Sequence, residues 1–164
     1  MKLSEIIETV GDVELTEEFK RSLLKAYRPR EPWKPKNEQM YWCILNGKVD
    51  CHFWFGDTTD LALFENGNVY KTEKEVIFAK EKLKVMTELK RYALKHNEEE
   101  IDWGKKKTKY KIGLHGDELH TPGTSIFRYQ GTIYFTSEEI AENAIEEIGE
   151  ERIKKYLFEI DEEE

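Results

Sequence analysis

The 164-residue chain carries 26 Lys+Arg against 34 Asp+Glu, a net charge of −8, with 38% hydrophobic and 12% aromatic residues. That length suits one domain, or two small ones sharing a core. Four Trp, eight Tyr and eight Phe argue against disorder, and the acidic balance argues against a duplex-DNA footprint.

The first ten residues, MKLSEIIETV, place Leu3, Ile6, Ile7 and Val10 at helical spacing, with charges inside the apolar pattern. That is not a secretory signal. Gly11-Asp12 breaks the pattern, and Thr16 caps a second predicted helix with Phe19, Leu23, Leu24 and Tyr27 apolar. Residues 1–27 therefore read as a helical arm. Residues 28–38 follow as a proline-rich linker, with three prolines between Arg28 and Lys36. No apolar run reaches the ~18–20 residues of a membrane span. Two cysteines are too few for a disulfide framework. The chain is expected to be cytoplasmic, with free thiols.

From residue 39 onward the pattern is α+β. Asn46-Gly47 signals a hairpin. A two-residue loop sets Cys43 opposite Asp50; a three-residue loop sets Cys43 opposite Cys51. In either register Val49, Cys51, Phe53 and Phe55 share a face, expected to be core, and Asp50, His52 and Trp54 share the other. Thr72-x-x-Glu75 is a capping box opening a helix to about His96, with Val76, Ala79, Leu83, Met86, Leu89 and Ala93 inward, a stripe widened by Phe78, Val85 and Tyr92. Tyr110 to Leu114 alternates as a strand. Residues 116–123 read as a loop, and Ile126–Tyr129 and Thr132–Phe135 as strands. Thr136-x-x-Glu139 repeats the capping box before a helix ending at Gly149, and a short helix follows from Glu150 to Ile160.

The segment Gly67-Asn-Val-Tyr-Lys-Thr-Glu-Lys-Glu75 matches Gly131-Thr-Ile-Tyr-Phe-Thr-Ser-Glu-Glu139 at an offset of 64 residues. Upstream, Tyr41 to Gly47 loosely resembles Tyr110 to Gly116. We read two duplicated strand-strand-strand-helix units, 39–97 and 98–164, the second ending in the extra C-terminal helix. Together, residues 39–164 are expected to form one compact core with a mainly antiparallel sheet packed by helices.

Catalytic signatures are missing from the sequence. There is no phosphate-binding glycine loop and no nucleophile elbow. Cys51 and His52 are sequence neighbours, so a strand points them apart. His115, Asp117, Glu118 and His120 crowd one loop, but at no common metal-ligand spacing. No cofactor and no metal are expected. What remains is a binding surface. Arg28, Arg30, Lys34 and Lys36 provide charge for an anion, Trp33, Trp42 and Trp54 provide stacking faces, and His52 a hydrogen bond. Lys105, Lys106, Lys107 and Lys109 form a second candidate patch. Residues 136–164 hold twelve acids against three bases, a surface that suits a basic protein partner through Glu146, Glu147, Glu150 and Glu151.

Several segments resemble a family of small uncharacterised proteins from bacteriophages and prophages of Gram-positive bacteria. They are Trp33-x-Pro-Lys36, Glu38-x-x-Tyr41-Trp42, Gly67-Asn68-x-Tyr70-x-Thr72 and Lys82-Leu-Lys-x-x-x-Glu-Leu-Lys-Arg-Tyr-Ala93. Ile133-Tyr-Phe-Thr-Ser-Glu-Glu-Ile-Ala141 and Ile148-Gly-Glu-Glu-Arg-Ile-Lys-Lys-Tyr-Leu-Phe158 complete the match, which covers about residues 30–160. Family members often carry Gly where this chain has Asn37. The resemblance implies a non-enzymatic phage accessory protein, acting in the bacterial cytoplasm. The expected role is counter-defence by sequestering a nucleotide-type immune signal. An interaction module inhibiting a host or defence protein is the alternative, and a metal-dependent hydrolase the third reading. The two amphipathic helices of the arm, too short to stand alone, imply a homo-oligomer.

Overall fold

The computed structural model describes residues 32–160. The arm predicted over 1–27, and the candidate ligands Arg28 and Arg30, lie outside the described residues. The chain divides after Trp33 into two units, Met1–Trp33 and Lys34–Glu164, and every element below belongs to the second. The architecture is α+β.

Strands β1 (Met40–Leu45) and β2 (Lys48–Phe53) form an antiparallel hairpin. Asn46 and Gly47 both take positive φ, 51° and 74°, which is the turn geometry this dipeptide favours. Leu45 faces Lys48 and Cys43 faces Asp50, so the loop has two residues. The outer edge of β1 is closed. Trp42 exchanges both backbone hydrogen bonds with Tyr70, at 2.9 and 2.8 Å. The Asn68 side chain does the same to the backbone of Ile44, at 2.8 Å each way.

The buried face of this hairpin is the reverse of the one its hydropathy predicts. Tyr41, Cys43 and Trp54 are buried, whereas Cys51 is exposed and Phe53 and Phe55 are 59% and 63% exposed. The reason is helix α1 (Thr58–Glu65), which the sequence reading missed. It brings Asp60 to Tyr41, whose Oη donates at 2.7 Å, and Phe64 edge-on to Trp54 at 6.1 Å.

Helix α2 (Glu73–His96) opens with the predicted capping box, Thr72 and Glu75 bonding reciprocally. Its buried residues are Val76, Val85, Leu89, Tyr92 and Ala93. Leu83, predicted inward, is 56% exposed, because the stripe that meets the later helices runs through Val85, Leu89 and Tyr92 at i, i+4, i+7.

The next segment departs most from expectation. Strand β3 (Lys109–Tyr110) pairs with β6 (Gly123–Thr124), and inside that pair β4 (Gly113–His115) and β5 (Glu118–His120) make a small hairpin. The predicted loop over 116–123 therefore contains β5. Conversely, Ile126–Tyr129 and Thr132–Phe135 are not strands, apart from a bridge between Tyr110 and Phe135. Among the described residues the strands form three separate two-stranded antiparallel sheets rather than one continuous sheet.

Helices α3 (Glu138–Ile148) and α4 (Glu150–Leu157) meet at Gly149, which has φ of 99°. The cap of α3 is Ser137, accepting from Ile140 N–H at 3.2 Å. Thr136, the predicted cap, instead accepts from Glu98 N–H at 3.2 Å. The main core joins Val85, Leu89, Tyr92 and Ala93 of α2 to Phe135, Ala141, Ala144, Ile148 and Ile153. Among the described residues no helix is long and apolar enough to cross a membrane.

Candidate functional site

The first predicted set of ligand residues does not converge. Trp33 belongs to the N-terminal unit. Trp54 is 5% exposed, so its ring is part of the packing rather than a stacking face. Lys34 Nζ lies 5.2 Å from the centroids of both Trp54 and Phe64. Lys36 is exposed, and its backbone N–H donates to Gln39. Trp42 lies on the opposite face of the hairpin from His52 and Trp54, since residues paired across β1 and β2 share a face and neighbours along a strand do not. His52 sits with Nε2 3.3 Å from Asp50 Oδ2.

His52 does line a cavity of about 420 Å³ between the hairpin and α1, with Tyr41, Leu45, Asp57, Thr59 and Asp60. Its chemistry is wrong for an anion. Burial pushes the Asp60 carboxyl up, but hydrogen bonds from Tyr41 Oη and the N–H groups of Phe55 and Gly56 outweigh it and hold the group below its ordinary range. The wall is thus a fixed negative charge. Burial, and then the hydrogen bond to Asp60, push the Tyr41 phenol up. Burial and Asp50 push the Cys43 thiol up. Both stay protonated, and neither is an activated nucleophile.

The 115–120 loop carries little more. His115 and His120 rings stand 6.1 Å apart. Among the described residues no three His, Cys, Asp or Glu side chains are grouped to hold a metal.

The second predicted patch is split by its own acids. Lys105 lies 3.9 Å from both Glu99 and Asp102, and Lys107 is hydrogen-bonded to Glu99. That bond holds the Glu99 carboxyl below its ordinary range. The cleft they share measures only about 20 Å³, room for one water. Lys109 differs. It is 3% exposed, donates from Nζ to the Lys105 carbonyl at 2.8 Å, and lies 5.1 Å from the Trp103 ring centroid.

Around that ring the structure assembles a surface the sequence reading missed. Arg128 lies 5.3 Å from the same centroid, and Lys111 Nζ lies 3.7 Å from the centroid of Tyr129. Tyr134 meets Trp103 edge-on at 4.9 Å and accepts the Tyr129 N–H on its hydroxyl at 2.7 Å. Tyr134 is itself fixed. Its neighbour Phe135 exchanges backbone bonds with Tyr110 at 2.9 and 2.8 Å, and Asn97, at the end of α2, donates to the Tyr134 carbonyl at 3.1 Å. Among the described residues, Lys106, Lys109, Lys111 and Arg128 make no ion pair. The signal lay in Trp103 followed by alternating lysines, and in Phe127-Arg128-Tyr129, but the latter reads as a strand. Ile126 and Phe127, 80% and 64% exposed, extend the surface. No protein-family model matches the chain, and no curated protein or solved structure is significantly similar to it.

Proposed function

We propose that this chain is a non-enzymatic binding protein that takes a nucleotide-type ligand on the Trp103 surface. The observation that carries the reading is the group of three cations, Lys109, Lys111 and Arg128, without carboxylate partners among the described residues, set around two aromatic rings in a chain of net charge −8. A base has a π-face to lay against Trp103 or Tyr129, and a phosphate finds Arg128 and Lys111. The buried Lys109 ammonium adds a fixed positive charge that water screens weakly. The resemblance to phage accessory proteins supplies a setting, sequestration of a nucleotide immune signal. The acidic helices α3 and α4 are the weaker candidate for a binding face, because Lys154 already pairs with Glu150 at 2.7 Å and lies 3.8 Å from Glu151.

The duplicated unit belongs to this reading as well. The bridge from Trp42 to Tyr70 and the bridge from Tyr110 to Phe135 each close the edge of a hairpin-bearing strand just ahead of a capped helix. The likeness is one of arrangement rather than of register, since Tyr70 aligns with Tyr134 but it is Phe135 that bridges to Tyr110.

The test is a panel of mononucleotides and cyclic di- and trinucleotides, read by melting temperature and tryptophan fluorescence. A ligand at 100 times its dissociation constant should stabilise by about 2.7 kcal/mol, and Trp103→Ala should abolish both the shift and the quench. Unchanged melting and fluorescence across the panel at millimolar ligand would sink the proposal.

A further inference from the structure

We propose that two copies of this chain pair edge to edge along β2, antiparallel, with Cys51 opposite the partner's Cys51. A two-residue turn fixes the alternation of the hairpin ladder, so Leu45–Lys48, Cys43–Asp50 and Tyr41–His52 are its hydrogen-bonded pairs. The backbone groups of Val49, Cys51 and Phe53 therefore point away from β1. On the far side of β1 the outward groups of Trp42 and Ile44 are all taken, by Tyr70 and Asn68. Along β2 they are not. The Cys51 N–H donates to the exposed Asp50 carboxylate at 2.9 Å. The N–H groups of Val49 and Phe53, and the carbonyls of all three residues, have no partner among the described residues. A six-residue strand with an open edge and no internal lysine or proline is a template for another strand.

Charge selects a second copy and its register. Centred on Cys51, antiparallel pairing sets Asp50 opposite the partner's His52 twice, by symmetry, and Val49 opposite the partner's Phe53 twice on the other face. His52 Nε2 is buried and lies 3.3 Å from Asp50 Oδ2 of its own chain, so the partner's carboxylate joins an existing pair. Sliding the register by two residues in one direction sets Asp50 against the partner's Asp50, and in the other His52 against the partner's His52. Pairing over 48–54 buries less than the ~800 Å² per partner of a standard interface, so the dimer should be concentration-dependent.

The experiment is native mass spectrometry across a concentration series, with a short bismaleimide cross-linker on the same samples. The expected result is a dimer growing with concentration and cross-linked through Cys51, the exposed thiol, with the link lost in Cys51→Ser. Val49→Pro removes an outward donor without touching the hairpin ladder, and Phe53→Lys places a charge on the edge; each should weaken dimerisation at least tenfold. Should Val49→Pro fail to fold, the Phe53→Lys result decides alone. A monomer at every concentration, a dimer that survives these substitutions, or one that does not cross-link at Cys51 would overturn the proposal. Nucleotide binding at the Trp103 surface would be unaffected by any of these outcomes.

Discussion

A single carboxylate organises the hairpin end of the molecule. Asp60 accepts from Tyr41 Oη, Phe55 N–H and Gly56 N–H at 2.7, 2.7 and 2.9 Å while 4% exposed. Asp60→Asn keeps the shape, but an amide whose oxygen accepts from the two N–H groups turns its NH2 toward Tyr41 Oη, whose proton then loses its acceptor, and the change should cost about 1–3 kcal/mol. The sign of the pH effect follows from the lowered carboxyl. Its contribution is present above the unfolded value of about 3.9 and is lost as pH falls through the lower folded value. Urea unfolding from pH 7 down to pH 3 should show this acid limb in the parent and a flatter one in the variant; equal slopes would show that Asp60 is not the group responsible. At the other end, Lys109 and Arg128 flank one ring but differ in burial. A desolvated cation–π contact is worth about 2 kcal/mol and an exposed one about 0.5–1. Lys109→Ala should therefore lower stability clearly. Arg128→Ala should leave the melting temperature nearly unchanged and lower nucleotide affinity, with isothermal titration as the readout.

At the scale of elements, what was legible in the sequence was local chemistry, and what was not depended on distant partners. Asn46-Gly47 states its turn through the positive φ that these two residues tolerate. Thr72-x-x-Glu75 states its cap through side chains that reach their own backbone. Helix α1 has no such self-sufficiency. Thr58-Thr59-Asp60 is a poor helical start, stabilised by the Asp57 cap and by Tyr41 nineteen residues upstream. The face of β2 was misread for the same reason, since Trp54 is covered only once α1 is in place. The site followed suit. Trp103 and Arg128 are far apart in sequence, and the β3–β6 pairing together with the Tyr110–Phe135 bridge brings their segments together. The cap of α3 is a clean local test. Ser137→Ala should cost about 1 kcal/mol, as should Thr72→Ala at α2. Thr136→Ala should cost less, because its hydroxyl accepts one exposed N–H outside the helix. Chemical denaturation of the three variants reads this order, and a larger loss at Thr136 than at Ser137 would restore the capping box predicted there.

Across the whole second unit, α2 is the shared member. Its Val85, Leu89, Tyr92 and Ala93 sit in the main core with α3 and α4, while the same helix also meets β1 and β2. The hairpin end buries a smaller set, Tyr41, Cys43 and Trp54, and leaves apolar side chains in water on its other face. Free energies of local opening track buried apolar contact, so the two ends should not open together. Native-state hydrogen exchange should show the amides of 85–93 protected up to the global unfolding energy and those of β1 and β2 exchanging through a cheaper, partial opening. Leu89→Ala, in the shared core, should cost about 2–5 kcal/mol and lower protection everywhere. Trp54→Ala should lower protection in 40–65 and leave 85–93 tied to global unfolding. Equal loss of protection at both ends after Trp54→Ala would mean that α2 couples them into one cooperative unit.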